Sequence, residues 1–285
     1  MRIVSWNIQN LALWLHDRAA FVDHVRALGA PDILCLQEIR LRPRDSDAVA
    51  QARALLPHHV CGLALCDDPR NVVFRGGRAY GVATYVHRRL GDSTHAAPDW
   101  DREGRVLVTA LPRFGLAVAN LYAVNGTARP YFDPATGDRL GDRHEYKRRF
   151  QERMFALAAE LRAHASVVLI GDWNVSRSAF DVTPRLRTQE PHATARAQLN
   201  DLLVRGGWVD AFREKHPTAR AFTWFGKTRS GQLDAARVDY ALVSSELWPR
   251  VHDASILDDR ALRRRSDHAP ISLELELEAR HRDPK

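Results

Sequence analysis

The stretch SVVLIGDWNV, residues 166–175, decides how the chain is read. Val167 to Ile170 are consecutive aliphatic residues, and such a run reads as a short strand buried on both faces. Gly171 ends the run, and Asp172, Trp173 and Asn174 follow at once. Asp and Asn disfavour strand interiors, and a charge at the end of a core strand is costly unless something pairs with it. In one reading this is a turn whose Asp172 and Asn174 satisfy local backbone donors. In the other, a core strand delivers a carboxylate and a carboxamide to a working site. Recurrence of the pattern elsewhere favours the second.

Working outward, RIVSWNI (2–8) is a strand carrying Asn7, and DILCL (32–36) is a buried-strand run that ends on Gln37 and Glu38. Between them Asp17 caps a helix with apolar positions Phe21, Val22, Val25 and Leu28, closed by Gly29 and Pro31. A helix is expected over 47–56, and strands near 60–66, 80–86, 105–111 and 115–122. The loop 122–143 is long and rich in turn formers, as functional or mobile loops are. Asp142 with Glu145 resembles a capping box, and Tyr146, Phe150, Met154, Leu157, Ala158 and Leu161 then trace an amphipathic helix. After the opening strand come a Pro/Arg-rich loop (176–191), a helix near 194–206, AFTWF (221–225) and the strand RVDYALV (237–243). ISLELEL (271–277) alternates apolar with acidic residues, as an exposed-face or edge strand does. With no linker, repeat or low-complexity break, the expectation is one mixed α/β domain over 1–285, frayed from about residue 279.

The 285 residues are 45% hydrophobic and 27% charged, an ordinary globular balance. No apolar run reaches the length of a membrane span, and Met1-Arg2 leads straight into a strand rather than a signal peptide. Cys35, Cys61 and Cys66 lack CxxC spacing and suit a reducing compartment, so the cytoplasm is expected. The net charge of +7 favours a polyanionic partner, nucleic acid first.

The polar residues that interrupt or end apolar strands are Asn7, Glu38, Tyr122 with Asn125, Asp172 with Asn174, Asp239, and Asp267-His268. Sheet neighbours bring such ends to one edge, making a hard-oxygen pocket with a single imidazole. Carboxylates and carboxamides without a cysteine cluster suit Mg²⁺ or Mn²⁺ rather than zinc. Histidine beside carboxylates suits proton transfer or contact with a phosphoryl oxygen, and with a basic surface the set points to phosphoester hydrolysis. Each piece also has a structural reading: Glu38 paired with Arg40 or Arg42, Tyr122 in the core, Asp239 neutralising Arg237, Ser266-Asp267 capping a turn. Taken jointly, those readings require several unrelated accidents.

SWNI (5–8), LQE (36–38), NLYAVNG (120–126), GDWNV (171–175), RVDYALVS (237–244) and SDHAP (266–270) resemble, in order, the motif set of the endonuclease/exonuclease/phosphatase superfamily. EGRVL (103–107), SAFDVTP (178–184) and WVDAFREKHP (208–217) followed by FTWF resemble the exonuclease III-type AP endonucleases within it. The resemblance spans about residues 2–277. It implies a four-layer α/β sandwich, two packed mixed sheets flanked by helices, with the site at one edge. It also implies roles. Asn7, Glu38 and Asp267 would sit at Mg²⁺ (Mn²⁺ able to substitute), with Asp172 and Asn174 close by. Asp172 would position or deprotonate the attacking water, Asn174 would hold the phosphoryl group, and Tyr122 would contact phosphate or assist the leaving oxygen. His268, oriented by Asp239, would donate to a phosphate oxygen. Phe222, Trp224 and Phe225 would wall a pocket for a base-less sugar, and Asn125 and Arg129 would touch DNA.

The implied activity is metal-dependent hydrolysis of DNA phosphodiesters at abasic sites or 3′ ends, with no membrane and no obligate protein partner. The alternatives are a phosphodiesterase or phosphatase acting on RNA, a protein–DNA adduct or a small phosphoester, and a binding protein without catalysis. The chain departs from the family pattern at Gln9-Asn10-Leu11, Val124, Ala236, the long loop 127–143 and the arginines of 261–265, mostly where substrate would be selected.

Overall fold

The computed structural model describes residues 1–71, 80–258 and 266–279. Two six-stranded sheets organise it. The first contains β1 (Arg2–Asn7), β2 (Ile33–Gln37), β3 (His59–Ala64), β4 (Val82–His87), β16 (Val251–Ile256) and β17 (Ile271–Leu275), in the order β16-β17-β1-β2-β4-β3. The second contains β5 (Thr94–Ala96), β6 (Val106–Leu111), β7 (Leu116–Tyr122), β10 (Ser166–Asp172), β12 (Trp208–Asp210) and β15 (Asp239–Ser244), in the order β12-β15-β10-β7-β6-β5. A hairpin of β8 (Pro130–Phe132) and β9 (Arg139–Asp142) and a small sheet of β11 (Val182–Thr183), β14 (Leu233–Ala236) and β13 (Trp224–Lys227) complete the strands.

Each large sheet is mixed because each holds one parallel pair, β1 with β2 and β7 with β10. A parallel pair needs a crossover. Helices α1 (Ala12–Leu15) and α2 (Arg18–Ala27) lie in the first crossover, and α4 (Arg143–Arg162) lies in the second. The Asp17 side chain accepts from the Ala20 amide at the start of α2, and Asp142 with Glu145 closes a reciprocal capping box on α4, as their spacing predicts.

Alternation along the strands builds the layers. In β10, Val168 and Ile170 join Ile3, Ile33, Cys35, Val118, Val243 and Leu273 in the core between the sheets. Val167 and Leu169 point the other way, into a core with Phe150, Met154 and Ala158 of α4 and Leu199 and Leu203 of α5 (His192–Gly206). On the far side, Val4, Trp6, Leu34 and Leu36 pack against Trp14, Phe21 and Val25 of α1 and α2 and Ala52 of α3 (Ser46–Arg53). Helix, sheet, sheet, helix is the four-layer α/β sandwich that the resemblance implies.

Two elements differ from the sequence reading. Of the two readings of ISLELEL, exposed face or edge, the edge fails: β17 pairs with both β1 and β16. Its alternating face is tolerated inside the sheet because half-buried Glu274 accepts a hydrogen bond from Arg2, 2.9 Å away. The loop 122–143 is not irregular throughout, since β8 and β9 fold it into a hairpin. Asn71 holds that hairpin by donating to the Phe132 carbonyl and accepting from the Phe132 amide, at 2.7 and 2.9 Å. The arginines of 261–265 and the tail beyond 279 lie outside the described residues.

Candidate active site

The C-terminal ends of the two parallel pairs lie side by side, and the chain's polar interruptions fall there. Asp172 is in register with Tyr122 on one side and Asp239 on the other. Asn7 is in register with Gln37, one residue before Glu38. Gly171 is fixed by the approach of β7: its φ is +145°, and a Cβ would stand 2.0 Å from the Leu121 carbonyl oxygen. Side-chain-bearing residues with positive φ also gather here, at Gln9 (60°), Glu38 (53°), Arg40 (51°) and Asn174 (53°). Such conformations are strained for residues other than glycine and cluster at functional sites.

Asp172 is 1% exposed. Its Oδ1 accepts from the Asn174 amide at 2.8 Å, and its Oδ2 accepts from Asn7 Nδ2 at 3.1 Å and Asn174 Nδ2 at 3.3 Å. The Asn7 Nδ2 group also donates to Glu38 Oε1 at 3.0 Å. Oxygens of two carboxylates therefore converge on one small polar group. Glu38 accepts further from Arg40 and Tyr122. Burial pushes its carboxyl up, but Asn7 and Arg40 outweigh that and hold it below the usual value.

His268 donates from Nδ1 to Asp239 Oδ2 at 2.9 Å, leaving Nε2 facing the cleft, 3.9 Å from Asp172 Oδ2 and 3.8 Å from Asp267 Oδ1. Its backbone is held on both sides. Trp6 Nε1 donates to its carbonyl, and its amide donates to Ser266 Oγ, which in turn donates to the Asn7 carbonyl. Thr223 Oγ1 accepts from the amides of Val238 and Asp239 and so fixes the Asp239 strand end. Burial opposes protonation of His268, yet Asp239, Asp172 and Asp267 together raise its pKa to about 10. Burial and the neighbouring Asp239 raise Asp172 to about 7, against the attraction of His268.

The competing reading of Asp239 fails. Arg237 turns away from it and binds Asp181 (2.7 Å) and both oxygens of Asp210 (2.9 and 2.8 Å). The Glu38–Arg40 pair does form, but Glu38 keeps one oxygen on Asn7. Ser266 does cap a turn, and that turn presents His268.

The donor set fits a hard divalent cation. Glu38, Asp172 and Asp267 offer carboxylate oxygens, and Asn7 turns its Nδ2 to two of them while its Oδ1 accepts from the Gln9 amide. A buried carboxyl pushed up to about 7 marks uncompensated negative charge that a cation would relieve.

A cleft of about 490 Å³ opens over these groups. Glu38, Tyr122, Asn125, Asp172, Asn174, Asp267, His268 and Trp224 line it; Asn7 and Asp239 lie directly beneath, bonded to its lining residues. Of the three aromatics expected to form a wall, Trp224 alone lines the cleft, its Nε1 donating to Asp267 Oδ2 at 2.9 Å. Phe225 follows on the alternate face of β13, and Phe222, before the strand, is not among the lining residues. Exposed Arg129 stands outside the lining too.

Sequence reasoning passed over several residues here. Gln9, noted as a departure, binds Asp267 Oδ1 through Nε2. Lys147, 6% exposed, lines the cleft and donates to the Asn174 carbonyl at 2.7 Å. Burial lowers its pKa to about 8. The signal was available: Arg143, Lys147 and Gln151 form a buried polar stripe at four-residue spacing beside the apolar stripe of α4. Arg185, Arg187, His192 and Arg196 also line the cleft, and no regular spacing announces them.

The fold and this edge site define a class. Residues 4–268 match the model of the Endonuclease/Exonuclease/phosphatase family, and the chain belongs to that family. It is 29% identical to the DNA repair nuclease APEX1 of Danio rerio over 96% of this chain and 81% of that protein. It is also 29% identical to exodeoxyribonuclease III of Haemophilus influenzae, over 95% and 98% of the two chains. Among solved structures, the 3′ phosphatase NExo from Neisseria, bound to product DNA hairpin, superposes with a TM-score of 0.70 at 26% identity, covering 97% of this chain and 99% of that one. No helix among the described residues is long and apolar enough to cross a membrane.

Proposed function

We propose that this chain is a divalent-metal-dependent DNA repair nuclease of the exonuclease III type, cleaving phosphodiesters at abasic sites or trimming 3′ ends. The observation that carries the reading is Asp172 facing His268 Nε2 at 3.9 Å, in a cleft whose remaining acidic and amide groups are oxygen donors. The names of the relatives, a DNA repair nuclease, an exodeoxyribonuclease and a 3′ phosphatase, support the same chemistry.

Glu38, Asp267 and Asn7 would hold Mg²⁺ or Mn²⁺, with Asp172 and Asn174 adjacent. A bound dication supplies charge neutralisation and polarisation of the phosphoryl oxygens. The chain's own residues do the rest. Buried Asp172, once ionised, accepts the proton of the attacking water; its raised pKa suits a base near neutrality. His268, held protonated by Asp239, donates from Nε2 to the phosphate oxygen that gains charge in the transition state. Asn174 has its Nδ2 within reach of Asp172 and the Ala123 carbonyl, so the amide is oriented before substrate arrives. Tyr122, whose hydroxyl is bonded to Glu38, would contact the phosphate or assist the leaving oxygen. Trp224 gives the abasic sugar an apolar wall, while Asn125 and Arg129 meet the DNA backbone.

The test is incubation of the protein with two labelled duplexes, one with a tetrahydrofuran abasic analogue and one with a 3′-phosphate end, each with Mg²⁺ and with EDTA. Incision or 3′-end removal in Mg²⁺ that vanishes in EDTA is the expected result. Turnover undiminished by exhaustive chelation, or failure on both duplexes alongside turnover of a small phosphomonoester, overturns the reading.

A further inference from the structure

The cleft has two electrostatic ends, and the catalytic reading uses one. The other is lined by Lys147 of α4, Arg187 of the loop before α5, and His192 and Arg196 of α5. Among the described residues no carboxylate lies within ion-pair distance of Lys147 or Arg196, and Arg187 reaches Asp234 at 4.0 Å, the limit of such a pair. Lys147 is nine-tenths buried, and one of its three N–H donors is used on the Asn174 carbonyl. Arg196 donates to the carbonyls of Ser176 (2.8 Å) and Arg187 (2.7 Å), which braces the loop carrying Arg187 against the helix. The first amides of α5 are already satisfied by Gln189 and Glu190, so the anion-attracting power here belongs to the side chains.

Holding cations together without matched carboxylates costs free energy unless an anion completes the group. The cluster joins the catalytic end through Asn174, whose carbonyl Lys147 holds and whose amide touches Asp172. A phosphate held here would therefore flank one poised between Asp172 and His268.

Resting on the proposed phosphodiester hydrolysis, we infer that Lys147, Arg187 and Arg196 form a second phosphate subsite, which binds a backbone phosphate of the cleaved strand next to the scissile one. Substrate strands that continue past the scissile bond on that side gain this contact, and a lone terminal phosphomonoester does not. The subsite selects for strand continuity independently of the wall at Trp224.

Phosphate neutralisation tests the assignment. Duplexes containing one tetrahydrofuran residue are prepared with a single uncharged methylphosphonate walked along the lesion strand. Their affinity is measured in EDTA for the parent, Lys147→Met, Arg187→Ala and Arg196→Gln. In the parent, one linkage flanking the scissile phosphate should lose affinity on the order of tenfold when neutralised, the size of a charge-assisted contact. In the variants that penalty should shrink toward unity, because the partner charge is gone. Arg187→Ala, in an exposed loop, keeps the test readable if Lys147→Met does not fold. A parent penalty that persists unchanged in Arg187→Ala and Arg196→Gln places the phosphate elsewhere and overturns the subsite. So does duplex binding indifferent to every methylphosphonate, which leaves the nuclease reading standing. Inorganic phosphate that competes as strongly as the duplex in the parent, and not in the variants, makes this a free-phosphate site and overturns the strand assignment. A parent that binds no duplex at all sinks both readings.

Discussion

Asp172 and His268 share one problem of charge, and its solution can be measured. Both bind protons more tightly in the fold than their ordinary values of 3.8 and 6.5 allow, Asp172 to about 7 and His268 to about 10. The folded state therefore holds more protons than the unfolded chain between those limits, so stability must fall as pH rises through them. For His268 the stabilisation is fully present below about 6.5 and lost as pH climbs toward about 10. Thermal unfolding in EDTA should show this decline, and added Mg²⁺ should offset it more at pH 8 than at about pH 5, since a dication binds the ionised carboxylates best. A midpoint flat across that range would count against the buried pair. On the proposed mechanism activity needs Asp172 ionised and His268 protonated, so kcat/KM should be bell-shaped in pH, with the acid limb moved down by bound metal. Asp172→Asn should lower kcat by roughly 10²–10⁴-fold while raising the midpoint in EDTA, because it removes a buried charge. A loss of both activity and stability would mean that the residue holds the turn together instead.

At the scale of elements, the strand end rather than the strand carries the candidate site, and its backbone is as specialised as its side chains. Gly171→Ala should cost at least about 2–3 kcal/mol, since the new Cβ meets the Leu121 carbonyl at a φ that L-residues avoid. Chemical denaturation should show it, and a near-neutral result would mean that β7 and β10 can part without penalty. Asn174→Gly should do the opposite: the positive φ relaxes and stability holds, while turnover falls because the amide is gone. These ends were legible in the sequence because a buried strand that stops on Asp-x-Asn or Gln-Glu breaks a strong local rule. The caps at Asp17 and Asp142 were legible for the same reason, being short-range chemistry with fixed spacing. What escaped was long-range. Nothing near Arg237 in the chain says that its guanidinium joins Asp181 and Asp210, 56 and 27 residues away, rather than Asp239 two residues on. The acidic face of β17 suggested an edge because Arg2, which answers Glu274, is 272 residues distant. Phe222, Trp224 and Phe225 read as one aromatic wall until strand alternation separated Phe225 from the cleft.

The two sheets act as one scaffold for the site because polar groups stitch them directly behind it. Gln37 of β2 donates to Asn120 of β7 at 2.7 Å, and Asn120 donates across to the Ala83 carbonyl at 2.8 Å. Those two residues stand one and two positions before Glu38 and Tyr122, so each sheet's contribution is held in register with the other's. Around this scaffold the charge is unevenly spread: +7 overall, with Glu38, Asp172 and Asp267 at the candidate catalytic groups and Lys147, Arg185, Arg187 and Arg196 also lining the cleft. If those cations grip backbone phosphates, binding must release counterions. The log of affinity for duplex should then fall with the log of salt, at a slope near −0.9 for each phosphate neutralised. Arg185→Ala with Arg187→Ala should flatten that slope by about 1–2 and weaken abasic and intact duplex alike. Trp224→Ala removes wall and no charge, so it should leave the slope where it was and erode the preference for the abasic duplex. Anisotropy titrations of the parent and both variants on both duplexes, over a salt series, separate these effects. A slope unaffected by the arginine pair would mean that backbone affinity resides elsewhere on the surface. A parent with no salt dependence at all, yet good turnover of a small phosphomonoester, would mean that the basic end of the cleft serves a single phosphate rather than a strand.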